Sequence, residues 1–578
     1  MENLAQASVE QDCVHLIKRI YDQYCSFICL EDDLFVLADC YSASHPSSFY
    51  SIQNPSSSEE SVKDLVNRIV EALHSVFATL GVLPIIRCPS DNIAELAAMR
   101  LDSKLRDSLR DSNSILFSNT ESIVSGESVE NMQIAVQRPL LIILDRAQDI
   151  SAALHHSWSY QSLVHDVFDS RLNRVALPSS PDQSTNVKAY DLSTAQDKLW
   201  REFKDQPFET VPDAVQQEID FLKNMEKEIG SLKDSFMGES EDSSAQLLGD
   251  IYDGNNATSK LTSAIETLPQ LMERKRCLDL HTNLASLLAA VIKDRRLDFL
   301  NDYEQRLMMG QKPQDFDLGT VLGDPGNGTA EDKLRVLLVA ALQLSASESN
   351  QGTSGSSSNE IFALTESELD RLGNALQSKC PELDMSPLEY VRRTRKLMRM
   401  VNLPVTEKKA TSANGTVFNK LVSHGSAMLE GMKSFVSQKS YMKLTRIVQQ
   451  LMENKTNNQF DNYRYFDPKL VRHAHGEVPR SKQRFNDCIV FVVGGGSYTE
   501  YHDMISLQKD LNAQLVEMLS LQQSLEAHSS PASTDSKVNG ICSSFLHRTP
   551  GARKIIYGSN EMLTSSEFLK QLQMLGRT

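Results

Sequence analysis

The sequence has no apolar run long enough to cross a membrane. Runs such as 140–144, 489–493 and 284–292 (the last interrupted by Ser286) are five to nine residues each, against about 20 for a spanning helix. The opening MENLAQASVEQDC has neither a basic start nor an apolar core, so no secretory signal is expected. The nine cysteines, from Cys13 to Cys542, are odd in number and irregular in spacing. That pattern predicts reduced cytosolic thiols and argues against a disulfide framework. Positive charge is short: 59 Lys and Arg against 76 Asp and Glu leave a net charge of −17. Non-specific nucleic-acid binding is therefore not expected. What remains is 578 residues, 40% hydrophobic and 23% charged, ordinary for a globular chain of several domains.

Short runs rich in Ile, Val, Leu, Phe or Tyr occur at both ends: 26–30, 34–37, 83–87 and 139–144 near the start, 488–493 and 554–557 near the finish. Runs of this length and composition predict buried strands. Amphipathic helical patterns separate them, as at 62–80 and 93–109, and strands alternating with helices predict α/β layers. Between about 150 and 455 the strand signal nearly disappears. There Val215, Ile219, Leu222, Met225, Ile229 and Leu232 recur at steps of three and four, a narrow helical stripe close to a coiled-coil seam. A second long pattern, 259–307, contains Pro269, which predicts a kink or break. Neither chain end alone carries strands for a comfortable sheet. The expected fold is α/β plus mostly α: a discontinuous α/β sheet domain built from both ends, with a large helical domain inserted between. The expected boundaries are 14–149, 150–459 and 460–578, with a hairpin at about 212–307 and a Ser-rich loop at 345–360. Segments 42–60 and 526–539 are also Ser-rich and poor in apolar residues, the composition of disordered linkers.

Asp145 and Asp149 follow a predicted strand, and His155, His156, His165 and Asp166 come soon after. A hydrolase or metal site would use His156 as base and Asp149 as its orienter. The plainer reading makes the acids caps or partners of Arg146 and packs the histidines into a domain junction. No Ser or Cys sits in a nucleophile-elbow context. Gly494–Gly496 follow a strand where phosphates are often held, yet the run matches neither glycine fingerprint and predicts a tight turn. Cys25 with Cys29, and His473 with His475, have metal-like spacing without a second pair. Arg392, Arg393, Arg395, Lys396 and Arg399 read as a solvated helix face, or alternatively as a patch for acidic partners or anionic lipid. Residue chemistry alone predicts no catalytic set, no cofactor and no metal.

Several segments resemble one known family. Pro139-Leu-Leu-Ile-Ile-Leu-Asp-Arg-Ala-Gln-Asp149 followed by Leu154-His-His-Ser-Trp-Ser-Tyr-Gln161 is similar to the signature of the SM (Sec/Munc) proteins, which bind syntaxins and other SNAREs. Phe27-Ile-Cys-Leu-Glu-Asp-Asp-Leu34, Leu83-Pro-Ile-Ile-Arg-Cys88, Lys260-Leu-Thr-Ser263, Leu280-His-Thr-Asn283, Tyr463-Arg-Tyr-Phe-Asp-Pro468 and Ile489-Val-Phe-Val-Val-Gly-Gly-Gly496 follow in order and resemble its Sly branch.

The resemblance implies a non-enzymatic SNARE-binding factor that regulates vesicle docking and membrane fusion in ER–Golgi transport. It would be cytoplasmic and peripheral on ER/Golgi membranes, held there through SNAREs that include a Golgi or ER syntaxin. In this family the hairpin templates SNARE helices. Its partner-binding residues here would be Val215, Ile219, Leu222, Ile229 and Leu232, with Pro269 where the hairpin bends or straightens. Three departures stand out. Family members usually begin with an extra α/β domain carrying a pocket for a syntaxin N-terminal peptide, and nothing here precedes the region around Cys13. Loss of N-terminal syntaxin peptide binding is therefore expected. Ala153 replaces a usual proline, and 509–548 reads as an insertion. Two other classes stay open: a hydrolase or nucleotide-binding enzyme using the 145–166 cluster or the Gly494–Gly496 turn, and a generic helical adaptor.

Overall fold

The computed structural model describes residues 22–39, 48–110, 138–168, 170–180, 183–237, 254–308, 317–343, 364–402, 441–454, 463–470, 483–527 and 551–578, with isolated positions besides. Its strands are β1 (Phe27–Glu31), β2 (Leu34–Leu37), β3 (Ile85–Cys88), β4 (Leu140–Asp145), β5 (Ser170–Arg171), β6 (Arg174–Ser180), β7 (Gln183–Asp191), β8 (Arg464–Phe466), β9 (Asp487–Val493) and β10 (Lys554–Ser559). Seven of them form one sheet in the order β1-β2-β10-β9-β4-β3-β8. The five central strands run parallel, and β1 and β8 close the two edges antiparallel. Late strands β9 and β10 thus lie between early strands β2 and β4. The sheet is built from both chain ends.

Strands buried on both faces carry continuous apolar runs, and every residue of β4 is buried. On one face Leu141, Ile143, Ile489 and Phe491 pack under α1 (Glu59–Leu80) and α2 (Ile93–Arg110) through Val66, Ile69, Leu73, Ala97 and Leu101. Ser58 caps α1 by accepting from the Ser61 amide, and Gly81 in the left-handed region (φ 67°) ends it, as helix termini require.

The helical body comprises α3 (Tyr160–Val167), α4 (Thr210–Met237), α5 (Gly254–Arg295), α6 (Leu297–Met308), α7 (Ala330–Gln343) and α8 (Ser386–Asn402), together with shorter helices. At its centre α7 buries Leu334, Val336, Leu337, Leu338, Val339 and Ala340, the pattern of a helix apolar on all sides. After it come α9 (Lys443–Glu453), α10 (Tyr498–Ala527) and α11 (Ser565–Arg577). The second sheet face, with Leu140, Ile142, Val490 and Val492, is covered by Leu444, Ile447 and Val448 of α9 and by Tyr501 and Met504 of α10. Helix α9 therefore packs with the sheet, although the expected boundary at 460 would assign it to the helical body.

Some expectations need correction. The region where the strand signal nearly disappears holds the antiparallel meander β5-β6-β7. Its first turn uses Leu172 and Asn173, both with positive φ (48° and 60°). Tight hairpins of this kind usually announce themselves with glycine, and none is present. Within the Ser-rich segment 42–60, Ser48–Gln53 is helical and buries Phe49 fully against Phe568 and Tyr390. Helix α5 does not break at Pro269; the break falls at Arg296 (φ 49°), where no Gly or Pro marks it. Residues 509–527 of the expected insertion continue α10. Residues 528–548 and the Ser-rich loop 345–360 lie outside the described residues. Among the described residues no helix is long and apolar enough to cross a membrane.

Gly576 supplies a test of the packing. A Cβ there would overlap the Ser386 carbonyl at the start of α8. Helix propensity alone favours alanine over glycine by about 1 kcal/mol, whereas overpacking costs about 1–3 kcal/mol. Gly576→Ala should therefore lower stability by about 1 kcal/mol or more in chemical denaturation. A more stable variant would show that α8 and α11 are not in close contact.

Candidate functional site

The carboxyl ends of parallel strands are where α/β proteins commonly bind ligands. Here β4 and β9 end side by side, Asp145 opposite Val493, and protein side chains fill the place. Arg146, the first residue after β4, is fully buried. Its Nη1 donates to Glu500 Oε1 at 2.7 Å and to the Asp149 carbonyl at 3.0 Å. Its Nη2 pairs with Glu500 Oε2, and its Nε donates to the Gly495 carbonyl at 2.9 Å. Glu500 lies in the first turn of α10, where a helix favours an anion. The carboxylate is that anion. Tyr557 donates its hydroxyl to Glu500 Oε2 at 2.9 Å, and burial, then the Glu500 charge, push its phenol well above the ordinary value. Gly494 and Gly495 have φ near 98°, and a Cβ at Gly496 would stand 2.7 Å from the Tyr557 hydroxyl. The glycine run is a packed strand-to-helix turn.

Asp145, Asp149, His156 and Asp166 of the Asp/His cluster are equally committed. Asp145 accepts from the Ala147 amide at 2.9 Å, and Asp149 accepts from Ser151 Oγ at 2.6 Å. His156 takes partners other than Asp149. Its Nδ1 lies 2.9 Å from Glu304 Oε1 and its Nε2 lies 3.2 Å from Asp332 Oδ1. Arg295 donates to Asp332 at 2.9 Å, and Arg335 pairs with Asp166 at 3.0 Å. Burial and Arg335 push the His156 pKa down, but Glu304 and Asp332 outweigh them and hold it above its ordinary value. Burial raises both carboxyls, and the facing cations overcome it, so each stays below its ordinary range. Both ring nitrogens face carboxylates, and neither is open to act as a base. Glu304, Asp332, Arg335 and Glu500 escaped sequence reading because each stands far along the chain from the residue it serves.

Helix α5 is anchored by a third polar clamp. His281 lies between the Tyr160 hydroxyl (Nδ1, 2.8 Å) and Asp197 (Nε2 to Oδ2, 2.8 Å), with Trp200 stacked alongside. Nearer Pro269, Arg274 donates to Glu218 of α4 at 2.7 Å and covers the Phe221 ring at 4.1 Å from its centroid. Val215 and Leu222 are buried in the same core as Leu278, Leu280 and Leu284 of α5, with Ile219 partly buried beside them. The lower part of the expected binding stripe is thus spent on packing α4 against α5. Ile229 is half-buried and Pro269 exposed; the Leu232 side chain lies outside the described residues. Phe221 and Met272 are 41% and 71% exposed, large apolar side chains that the stripe pattern did not single out.

The basic stretch of α8 is solvated only in part: Arg393 and Lys396 are exposed, Arg392 is half-buried, and the Arg399 side chain lies outside the described residues. Arg395 is fully buried and donates to the Leu364 carbonyl at 2.6 Å. Arg393 caps α11 at the Leu575 carbonyl (2.6 Å), and Arg392 pairs with Asp370 (2.6 Å). Cys25 and Cys29 are exposed, and His473 and His475 lie outside the described residues. Among the described residues no group of three or more His, Cys, Asp or Glu side chains is set to hold a metal.

These features define a class: a mixed α/β and helical scaffold in which Arg146 with Glu500 and His156 with Glu304 are buried ion pairs and whose two-helix arm exposes Phe221 and Met272. Comparison with known proteins agrees. The Sec1 family model matches residues 1–571, and the chain belongs to that family. It is 35% identical over 591 residues to mouse Sec1 family domain-containing protein 1, covering all of this chain and 81% of the relative. It is 36% identical over 587 residues to the sly1 homolog of Drosophila melanogaster, covering 80% of that protein. Among solved structures, Sly1p in complex with an N-terminal peptide of Sed5p shares the fold at a TM-score of 0.62 and 24% identity, over all of this chain and 78% of that one.

Two predictions follow from the buried charges. Arg146→Met would leave Glu500 buried without its cation, which should cost about 3–5 kcal/mol. The double variant Arg146→Met/Glu500→Leu should recover part of that loss, and urea titration of the three proteins measures it. An equal or greater loss in the double variant would mean that the pair does not act as a unit.

The second concerns pH. Glu304, held below its ordinary 4.5, contributes stability that is present above that pH and lost as pH falls through its folded value. His156, held above its ordinary 6.5, contributes fully below that pH and loses it as pH rises through its folded value. The clamp should therefore stabilise most between about pH 4.5 and 6.5. In Glu304→Gln the alkaline decline should begin at lower pH, because one of the carboxylates holding the His156 proton is gone. Melting curves across pH test this, and an unmoved decline would refute the assignment.

Proposed function

We propose that this protein binds SNARE proteins and regulates vesicle docking and membrane fusion in transport between the endoplasmic reticulum and the Golgi. The observation that carries the reading is membership of the Sec1 family over residues 1–571, with relatives named for Sly1 matching all of this chain. Sly1p was solved with a Sed5p peptide and Vps45 with the Qa SNARE Tlg2. By analogy the partners here are SNAREs that include a Golgi or ER syntaxin. The protein would work in the cytoplasm, peripheral to ER and Golgi membranes, with the SNAREs as its attachment. It would do so as a non-enzymatic scaffold with domains close to 14–149, 150–459 and 460–578. His156 and the carboxylates Asp145, Asp149 and Asp166 are each taken up by other protein groups, so the expected base and its orienter are not paired, which favours this reading over a hydrolase.

The arm formed by α4 and α5 is the proposed SNARE-helix site. Val215, Ile219 and Leu222 would hold its base. Ile229, Leu232 and Pro269, together with exposed Phe221 and Met272, would face the partner helix. Amphipathic helices dock through such apolar anchors, and losing a central one typically weakens binding by about tenfold or more.

The test is titration of a labelled cytosolic Golgi-syntaxin fragment against the full chain. Phe221→Asp and Met272→Asp should each weaken binding by about tenfold without lowering the melting temperature. Pro269→Ala restores a backbone donor and removes a ring clash, and should strengthen binding by straightening the arm. Unchanged affinity in all three variants would remove the arm from the site, and no binding by the unmodified chain would refute the function.

A further inference from the structure

Next to the packed glycine turn lies a crevice of about 20 Å³, where the segment before α3 meets the first turns of α10 and α11. Its walls include His155, Ser157, Ser162, Asp166, Ser497 and Ser565. We propose that this crevice is a built water site, holding one or two ordered waters that hydrogen-bond His155 and bridge the 155–157 loop to the starts of α10 and α11.

The argument begins with His155. It is 4% exposed, and among the described residues neither ring nitrogen has a hydrogen-bond partner. Its nearest charged neighbour, Glu304 Oε2, stands 3.9 Å from Nε2, beyond hydrogen-bond reach. Burial pushes the ring down to about 4, so at neutral pH it is an uncharged imidazole with one donor and one acceptor. Leaving both unmade inside a protein is costly, and native structures rarely do so.

The surroundings select the ligand. An anion would face the Asp166 carboxylate, already held by Arg335 at 3.0 Å and by the Ser565 amide at 3.3 Å. It would also accept from His155 but satisfy no acceptor. A cation would face the amino-terminal ends of α10 and α11, whose dipoles repel it, and would donate nothing. Water donates and accepts and carries no charge. By the same measure one water needs about 10–15 Å³ and two to four polar partners, which the crevice and its serine hydroxyls supply.

The test is a crystal structure of the full chain grown from bromide salt. The expected result is ordered water within hydrogen-bond distance of a His155 ring nitrogen and no anomalous bromide peak in the crevice. A bromide peak, or a crevice without density, would overturn the proposal. A second measurement uses stability. His155→Phe fills the space and removes the ring's polar atoms, so with water present the melting temperature should fall, by about 1–3 °C. His155→Gln, which keeps a donor and an acceptor, should recover at least half of the fall. A rise in His155→Phe would mean a dry site, and equal losses in both variants would mean that packing alone matters.

Discussion

One buried ion pair joins the early and late segments of this chain where they share a single sheet. Arg146 and Glu500 are 354 residues apart in sequence, and neither side chain has any exposure to water. Removing two charges from water costs several kcal/mol each unless the remaining donors and acceptors are met. They are met here by the Gly495 and Asp149 carbonyls on one side and the Tyr557 hydroxyl on the other. These partners follow β4, follow β9 and lie within β10. The pair is therefore satisfied only when the three central strands are in register, which makes it a check on correct assembly as much as a source of stability.

The same device recurs where the helical body joins the sheet. His156 between Glu304 and Asp332 ties the segment after β4 to α6 and α7. His281 between Tyr160 and Asp197 ties the base of α5 to α3 and to the helix that opens at Lys198. Each junction is polar, buried and paired. A scaffold fastened in this way holds α4 and α5 firmly at their base, while Phe221, Met272 and Pro269 stay exposed on the arm above. The arm thus combines a base fixed by polar clamps with apolar side chains open to solvent.

Much of the fold was legible because burial leaves a local trace. Strands β4 and β9 appear as Leu-Leu-Ile-Ile-Leu and Ile-Val-Phe-Val-Val, since a strand covered on both faces must be apolar throughout. Helices α1 and α4 appear as stripes at helical spacing. The meander at 170–191 was hidden because its turn uses Leu172 and Asn173 in place of glycine. The short helix at Ser48–Gln53 was hidden because a single aromatic, Phe49, carries its burial among serines.

The sequence by itself determined the α/β alternation, the helical insertion, the packed nature of the glycine turn and the family. These depend on periodicity and on short motifs, which are local properties of a chain. Tertiary structure alone decided the partners of the charges. Arg392, Arg393 and Arg395 read as a solvated face, yet they meet Asp370, the Leu575 carbonyl and the Leu364 carbonyl. The plainer reading packed His156 into a domain junction without naming its partners, which are Glu304 and Asp332. Hydrophobic burial is non-directional and can be read from pattern. An ion pair acts only at contact distance between two particular atoms, and which distant residues come into contact is settled by the packing of the whole chain.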